Sequence, residues 1–153
     1  MILMSPSDDI GLQKHSLGQR FEDSLRIAEK MVKQDKGKEF VPDWANYFPI
    51  SAKTYLDLFG AANKINLFQF SDPSFKFPEL RKIYCPILAF YGTEREAILG
   101  SVDEALALIK RNASSSAVCK TAKIVGASHN YRGYENQVAD LIVNWLLETL
   151  ENI

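Results

Sequence analysis

The chain is poor in the residues that announce specialised chemistry. It contains two cysteines and two histidines, and Cys85 and Cys119 lack the C-x-x-C spacing of a redox or metal motif. Each cysteine stands beside an expected strand, so both read as buried, reduced thiols. No apolar run approaches the roughly 18 residues a membrane span requires. The opening MILMSPSDD has neither the basic nor the apolar region of a signal peptide. The default expectation is a cytoplasmic protein with no membrane partner. Neither sign of charge dominates, with 18 Lys and Arg against 19 Asp and Glu. The two signs are interspersed, which leaves no basic stripe for phosphates and no case for a nucleic-acid partner. Neither a G-x-x-x-x-G-K-[ST] loop nor a G-x-G-x-x-G run occurs, so no phosphate cradle or dinucleotide site is expected. Asp8, Asp9 and His15 match no metal-ligand spacing and read as an exposed turn with an incidental histidine. No metal and no cofactor is expected.

What is present is a pattern of alternating elements. Met1-Ile2-Leu3-Met4 is a short apolar run ended by Ser5-Pro6-Ser7-Asp8-Asp9, as a buried strand cut off by turn residues would be. A helix is expected from about Leu17 to Asp35, capped by Ser16 with Gln19, turning Phe21, Leu25, Ala28 and Val32 to one side and stopped by Gly37. Ser51 caps a shorter expected helix that Gly60 ends. Around it lies an aromatic segment broken by Pro42, Pro49, Pro73 and Pro78, which reads as a lid or insertion.

The second half is more regular. Pro86-Ile87-Leu88-Ala89-Phe90-Tyr91 is a continuous apolar strand ended by Gly92. Ser101 and Glu104 form a capping box for a helix burying Val102, Ala105, Leu106 and Ile109. Thr121 to Val125 is a strand ended by Gly126, and a last helix from about Glu135 to Leu150 places Val138, Leu141, Ile142 and Trp145 on one face. Strand, helix, strand and helix with short connections imply an α/β fold with a parallel sheet covered on both faces.

In this order, ILMSPSDD, CPILAFYGTERE and the VGASHNY loop before the final helix resemble the C-terminal half of an α/β-hydrolase, over nearly all of the chain. The resemblance implies a single incomplete domain over 1–153, with about three parallel strands. A strand–helix core covers 1–9 and 83–153, and a helical cap about 12–82. It implies hydrolysis of an ester or similar acyl bond, with His129 as the base that takes and returns the serine proton. The acid is expected three residues beyond Gly92, where Arg95 stands. A guanidinium cannot accept an imidazole N–H, so Glu94 or Glu96, or Asp8 or Asp9 after the first strand, are the alternatives. Trp44, Phe48, Phe68 and Phe70 are candidates for lining an acyl pocket beneath the cap.

The nucleophile is missing from this pattern. Gly126-Ala127-Ser128-His129-Asn130 departs from the G-x-S-x-G elbow because Asn130 occupies the place of the second glycine. Ser128 therefore reads as a bystander whose hydroxyl satisfies the turn. Two readings follow. One is the C-terminal portion of a hydrolase, acting on a small acyl substrate when completed by a nucleophile-bearing half. The other is a noncatalytic interaction module built on the same fold. In both, the free edge of the strand at residues 1–4 is expected to drive self-association.

Overall fold

The computed structural model describes residues 1–61, 63 and 66–151 and divides into two compact units. The first comprises Met1–Ser7 and Phe70–Ile153, the second Asp8–Gln69. The first unit holds strands β1 (Ile2–Met4), β2 (Ile87–Glu94) and β3 (Cys119–Ser128). The second holds helices α1 (Asp9–Leu17), α2 (Arg20–Lys33) and α3 (Ala52–Phe59), and the first adds α4 (Val102–Asn112) and α5 (Glu135–Leu150).

The three strands are parallel in the order β1-β2-β3, with Leu3 opposite Ala89 and Ala89 opposite Thr121. The α/β class expected from the alternating pattern is the class observed. β2 lies in the middle, and Ile87 through Tyr91 are all fully buried. Their unbroken apolar run leaves no polar face to turn to water, so both faces of the strand must be covered. On one face Leu88, Phe90 and Ile124 pack against Trp145, with Val138, Leu141 and Ile142 of α5 around them. Each fully buried aliphatic or phenyl side chain there contributes about 1.5–3 kcal/mol. α4 contacts β2 and β3 and buries Ala105, Leu106 and Ile109. Its start is the expected box: Ser101 Oγ accepts from the Glu104 N–H, and the Glu104 carboxylate accepts from the Ser101 N–H.

Two strand limits differ from expectation. β2 continues through Gly92 to Glu94, and β3 runs from Cys119 through Gly126 to Ser128. The pairing Gly92–Ile124 is followed by Glu94–Ser128, a bulge in β3 that absorbs Gly126 instead of ending the strand there. Gly126 has φ +82, a backbone conformation that strains a residue with a side chain, so glycine suits this turn of the chain. The thiols also differ from expectation: Cys85 is exposed and Cys119 half-buried.

The second unit corrects the expected long helix. Gly18, at φ 55, separates α1 from α2. Ser16 lies inside α1, and Gln19 caps α2 with no side-chain hydrogen bond, so the Ser16–Gln19 box does not form. Asp8 is buried, not part of an exposed turn, and its Oδ1 accepts from the Gly11 N–H at 2.9 Å as the cap of α1. Val32 is exposed, while Ser24 takes its place on the inward face and meets Tyr55 Oη at 2.6 Å. Ser51 caps α3 as expected, accepting from the Thr54 N–H.

Candidate active site

Parallel strands bring their C-terminal ends to one sheet edge, the usual place for a ligand in an α/β sheet. Here each strand is followed by a non-glycine residue in the left-handed region: Ser5 (φ 43) after β1, Arg95 (φ 52) after β2 and Tyr131 (φ 53) beyond β3. Such backbone costs of the order of 1–3 kcal/mol per residue and persists only where the surroundings enforce it. The surroundings in this case are one hydrogen-bonded cluster.

Glu96 is its hub. Its side chain is 3% exposed, and Oε1 accepts from the Gly92 N–H at 2.8 Å and from Ser5 Oγ at 3.0 Å. Oε2 lies 3.0 Å from His129 Nδ1. The left-handed Arg95 reverses the chain directly after β2, so that Glu96 folds back over the strand's last turn. That return requires glycine at 92, because a Cβ there would stand 2.2 Å from the Ala127 carbonyl oxygen and 2.9 Å from Glu96 Oε1.

Ser5 and Tyr131 extend the cluster. With the single Ser5 hydroxyl hydrogen given to Glu96, Tyr131 Oη donates to Ser5 Oγ across 2.5 Å, with the Phe90 carbonyl as a longer acceptor at 3.3 Å. Burial pushes the Tyr131 hydroxyl above its ordinary range, and the Glu96 charge adds to this. The phenol thus stays a donor at neutral pH. The Tyr131 ring packs edge-on to Phe90 at 5.5 Å, which ties the loop to the core.

His129 is 40% exposed in its side chain, and Nε2 has no hydrogen-bond partner among the described residues. With its proton on Nδ1, donated to Glu96, the imidazole presents an unencumbered lone pair on Nε2. The cluster thus pairs a buried carboxylate with a half-exposed imidazole whose Nε2 is open, a geometry in which an imidazole can accept and return a proton.

The other expected residues fall as follows. Glu94 is exposed at the end of β2, paired in register with Ser128, and of the two glutamates Glu96 is the one that meets His129. Arg95 is exposed. Ser128 closes the turn through its carbonyl, which accepts from the Tyr131 N–H at 2.8 Å, and its hydroxyl makes no hydrogen bond among the described residues. No hydrogen bond joins Ser128 Oγ to His129 among the described residues. Asp9 begins α1. Trp44, Phe48 and Phe68 belong to the second unit, where Trp44 stacks under the Arg20 guanidinium at 4.1 Å, Phe48 is exposed and Phe68 half-buried. Phe70 belongs to the first unit, its ring 5.8 Å from that of Phe77. Ser5 and Tyr131 carried no signal in the sequence beyond their places in two turns.

The chain matches no protein-family model, no curated protein and no solved structure.

Proposed function

We propose that the first unit is the acid–base part of an α/β-hydrolase site acting on an ester or similar acyl bond. His129 is the base, Glu96 its acid, and the attacking serine comes from residues outside this sequence. The observation that supports this reading is the 3.0 Å contact of His129 Nδ1 with the buried Glu96 carboxylate at the carboxyl ends of parallel strands. In the reaction, Nε2 takes the hydroxyl proton of the serine as its oxygen attacks the acyl carbon. The imidazolium so formed is stabilised by Glu96, and its proton then passes to the leaving group. In this reading the second unit is the cap, and Trp44, Phe48, Phe68 and Phe70 are the acyl-contacting candidates.

The test has two arms. The chain joined to a half that carries a G-x-S-x-G nucleophile is expected to hydrolyse short acyl esters, with a kcat lowered by orders of magnitude in His129→Ala. The chain alone is expected to be inactive. Robust turnover by the chain alone, lost in Ser128→Ala, contradicts the proposal.

A second reading, a noncatalytic interaction module, is favoured by the apolar surface of the first unit. β1 is an edge strand with Met1, Ile2 and Met4 exposed, and α5 exposes Val143, Leu146, Leu147 and Leu150. We propose that the chain self-associates through the β1 edge, since an unpaired apolar edge is a pairing template. Sedimentation is expected to show dimers or larger species that Ile2→Pro, at a position whose N–H faces away from β2, disperses. A folded monomer at every concentration contradicts it.

A further inference from the structure

In the first unit a groove of about 630 Å³ runs between α4 and the segment preceding β2. Its apolar wall includes Phe70, Phe75 and Leu108. The wall is built around Phe77, which is 2% exposed, sits at φ 48 and holds Phe75 edge-on at 5.0 Å. The size is that of a small-molecule site.

The polar side of the groove carries three cations against two carboxylates. Lys76, Arg81 and Arg111 line it, and none of the three is in an ion pair among the described residues. Both carboxylates in the lining accept hydrogen bonds from neighbouring serines. Asp72 accepts from the Ser74 N–H and hydroxyl, and Glu104 closes the Ser101 capping box. Arg81 is held by a neutral group. Its Nε and Nη2 both donate to Asn112 Oδ1, at 3.2 and 2.7 Å. Asn112 is 5% exposed and is itself anchored, donating from Nδ2 to the Leu108 carbonyl at 2.9 Å. A guanidinium fixed in orientation by an amide, with full charge and further N–H donors unspent, is prepared for an oxyanion.

We infer that this groove binds a small oxyanion carrying an apolar body, a carboxylate or phosphate monoester. The anion lies against Arg81, with Arg111 and Lys76 adding charge, and the body lies against Phe70, Phe75 and Leu108. The inference does not depend on the acid–base reading of His129 and Glu96.

The test is titration of the full chain with phenyl phosphate, benzoate, octanoate and inorganic phosphate, followed by calorimetry and by backbone amide shifts. At least one of the three amphipathic anions is expected to bind and to move the amides of residues 70–81 and of α4. Inorganic phosphate is expected to bind more weakly, for want of the apolar contact. The phenyl phosphate and carboxylate arms decide which oxyanion is preferred. Arg81→Gln is expected to weaken the best ligand about tenfold or more, and Arg111→Gln, whose guanidinium no side chain among the described residues fixes, to weaken it less, with the amide spectrum otherwise unchanged in both. Absence of binding by all four probes, or binding of benzamide as tight as that of benzoate, overturns the inference. So does equal affinity in wild type, Arg81→Gln and Arg111→Gln.

Discussion

Glu96 and His129, one beyond the end of β2 and the other directly after β3, meet through a 3.0 Å contact between Oε2 and Nδ1. The carboxylate is almost wholly buried while the imidazole is 40% exposed in its side chain. The pair therefore has an anchored member and a presented one, and the anchoring is done by the Gly92 amide and the Ser5 hydroxyl.

Removing the anchor tests that division. Glu96→Ala leaves the Gly92 N–H and the Ser5 hydroxyl without their acceptor in a buried site, at a cost of about 2–4 kcal/mol for the two together. Glu96→Gln keeps an acceptor oxygen and is expected to cost less. Urea denaturation followed by far-UV circular dichroism measures both, and equal stability of Glu96→Ala and wild type would show that the carboxylate is not the hub.

Gly92→Ala is expected to be at least as damaging. Its Cβ would lie 2.2 Å from the Ala127 carbonyl oxygen and 2.7 Å from the Ala127 carbonyl carbon, both backbone atoms that cannot rotate away. The β2–β3 pairing must open or Glu96 must leave, with a loss of about 2 kcal/mol or more. Thermal unfolding gives the stability, and the amide signals of Gly126 and His129 are expected to shift. A variant with unchanged melting temperature and spectrum refutes the close approach.

How much of this was legible in the sequence varies by element. The run Pro86–Tyr91 and the Ser101–Glu104 spacing are local signals, and the buried central strand and capped helix follow from them. The long first helix failed because Gly18 breaks it where the polar spacing read as a cap, and Asp8 looked exposed because its neighbours are turn residues. The place of His129 in the turn after a strand was legible from its context. The choice between Glu94 and Glu96 was not, since it depends on the left-handed turn at Arg95 and on the bulge that carries β3 past Gly126. Ser5 and Tyr131 lie 126 residues apart, and only the parallel pairing of three strands puts their hydroxyls together.

Alkaline pH is expected to weaken the fold through Tyr131. Burial and the Glu96 charge raise its folded value above that of the unfolded chain. The stability it contributes is thus fully present below the ordinary tyrosine value of about 10 and is lost as pH rises from there through the folded value. Tyr131→Phe, which has no proton to lose, is expected to be less stable than wild type at neutral pH, where the Ser5 bond is missing, and to close that gap above about pH 10. A gap that does not change with pH is the contrary result.

The two thiols are expected to react in order. Cys85 is exposed, whereas Cys119 is half-buried and burial pushes its thiol up, with partial relief from Lys110. Attack requires the thiolate, so in the folded chain a disulfide reagent is expected to consume Cys85 quickly and Cys119 slowly. Denaturant is expected to abolish the difference, and equal rates in the folded chain would count against this placement of β3.

The direct test of the proposed acid–base role is the tautomer of His129, read from long-range ¹⁵N–¹H correlations of the neutral imidazole in the whole chain. A base oriented by Glu96 must carry its proton on Nδ1 and leave Nε2 bare. Wild type is expected to give the Nδ1–H pattern, and Glu96→Ala to lose it while remaining folded. An Nε2–H tautomer in wild type, or one unaffected by Glu96→Ala, would contradict the assignment.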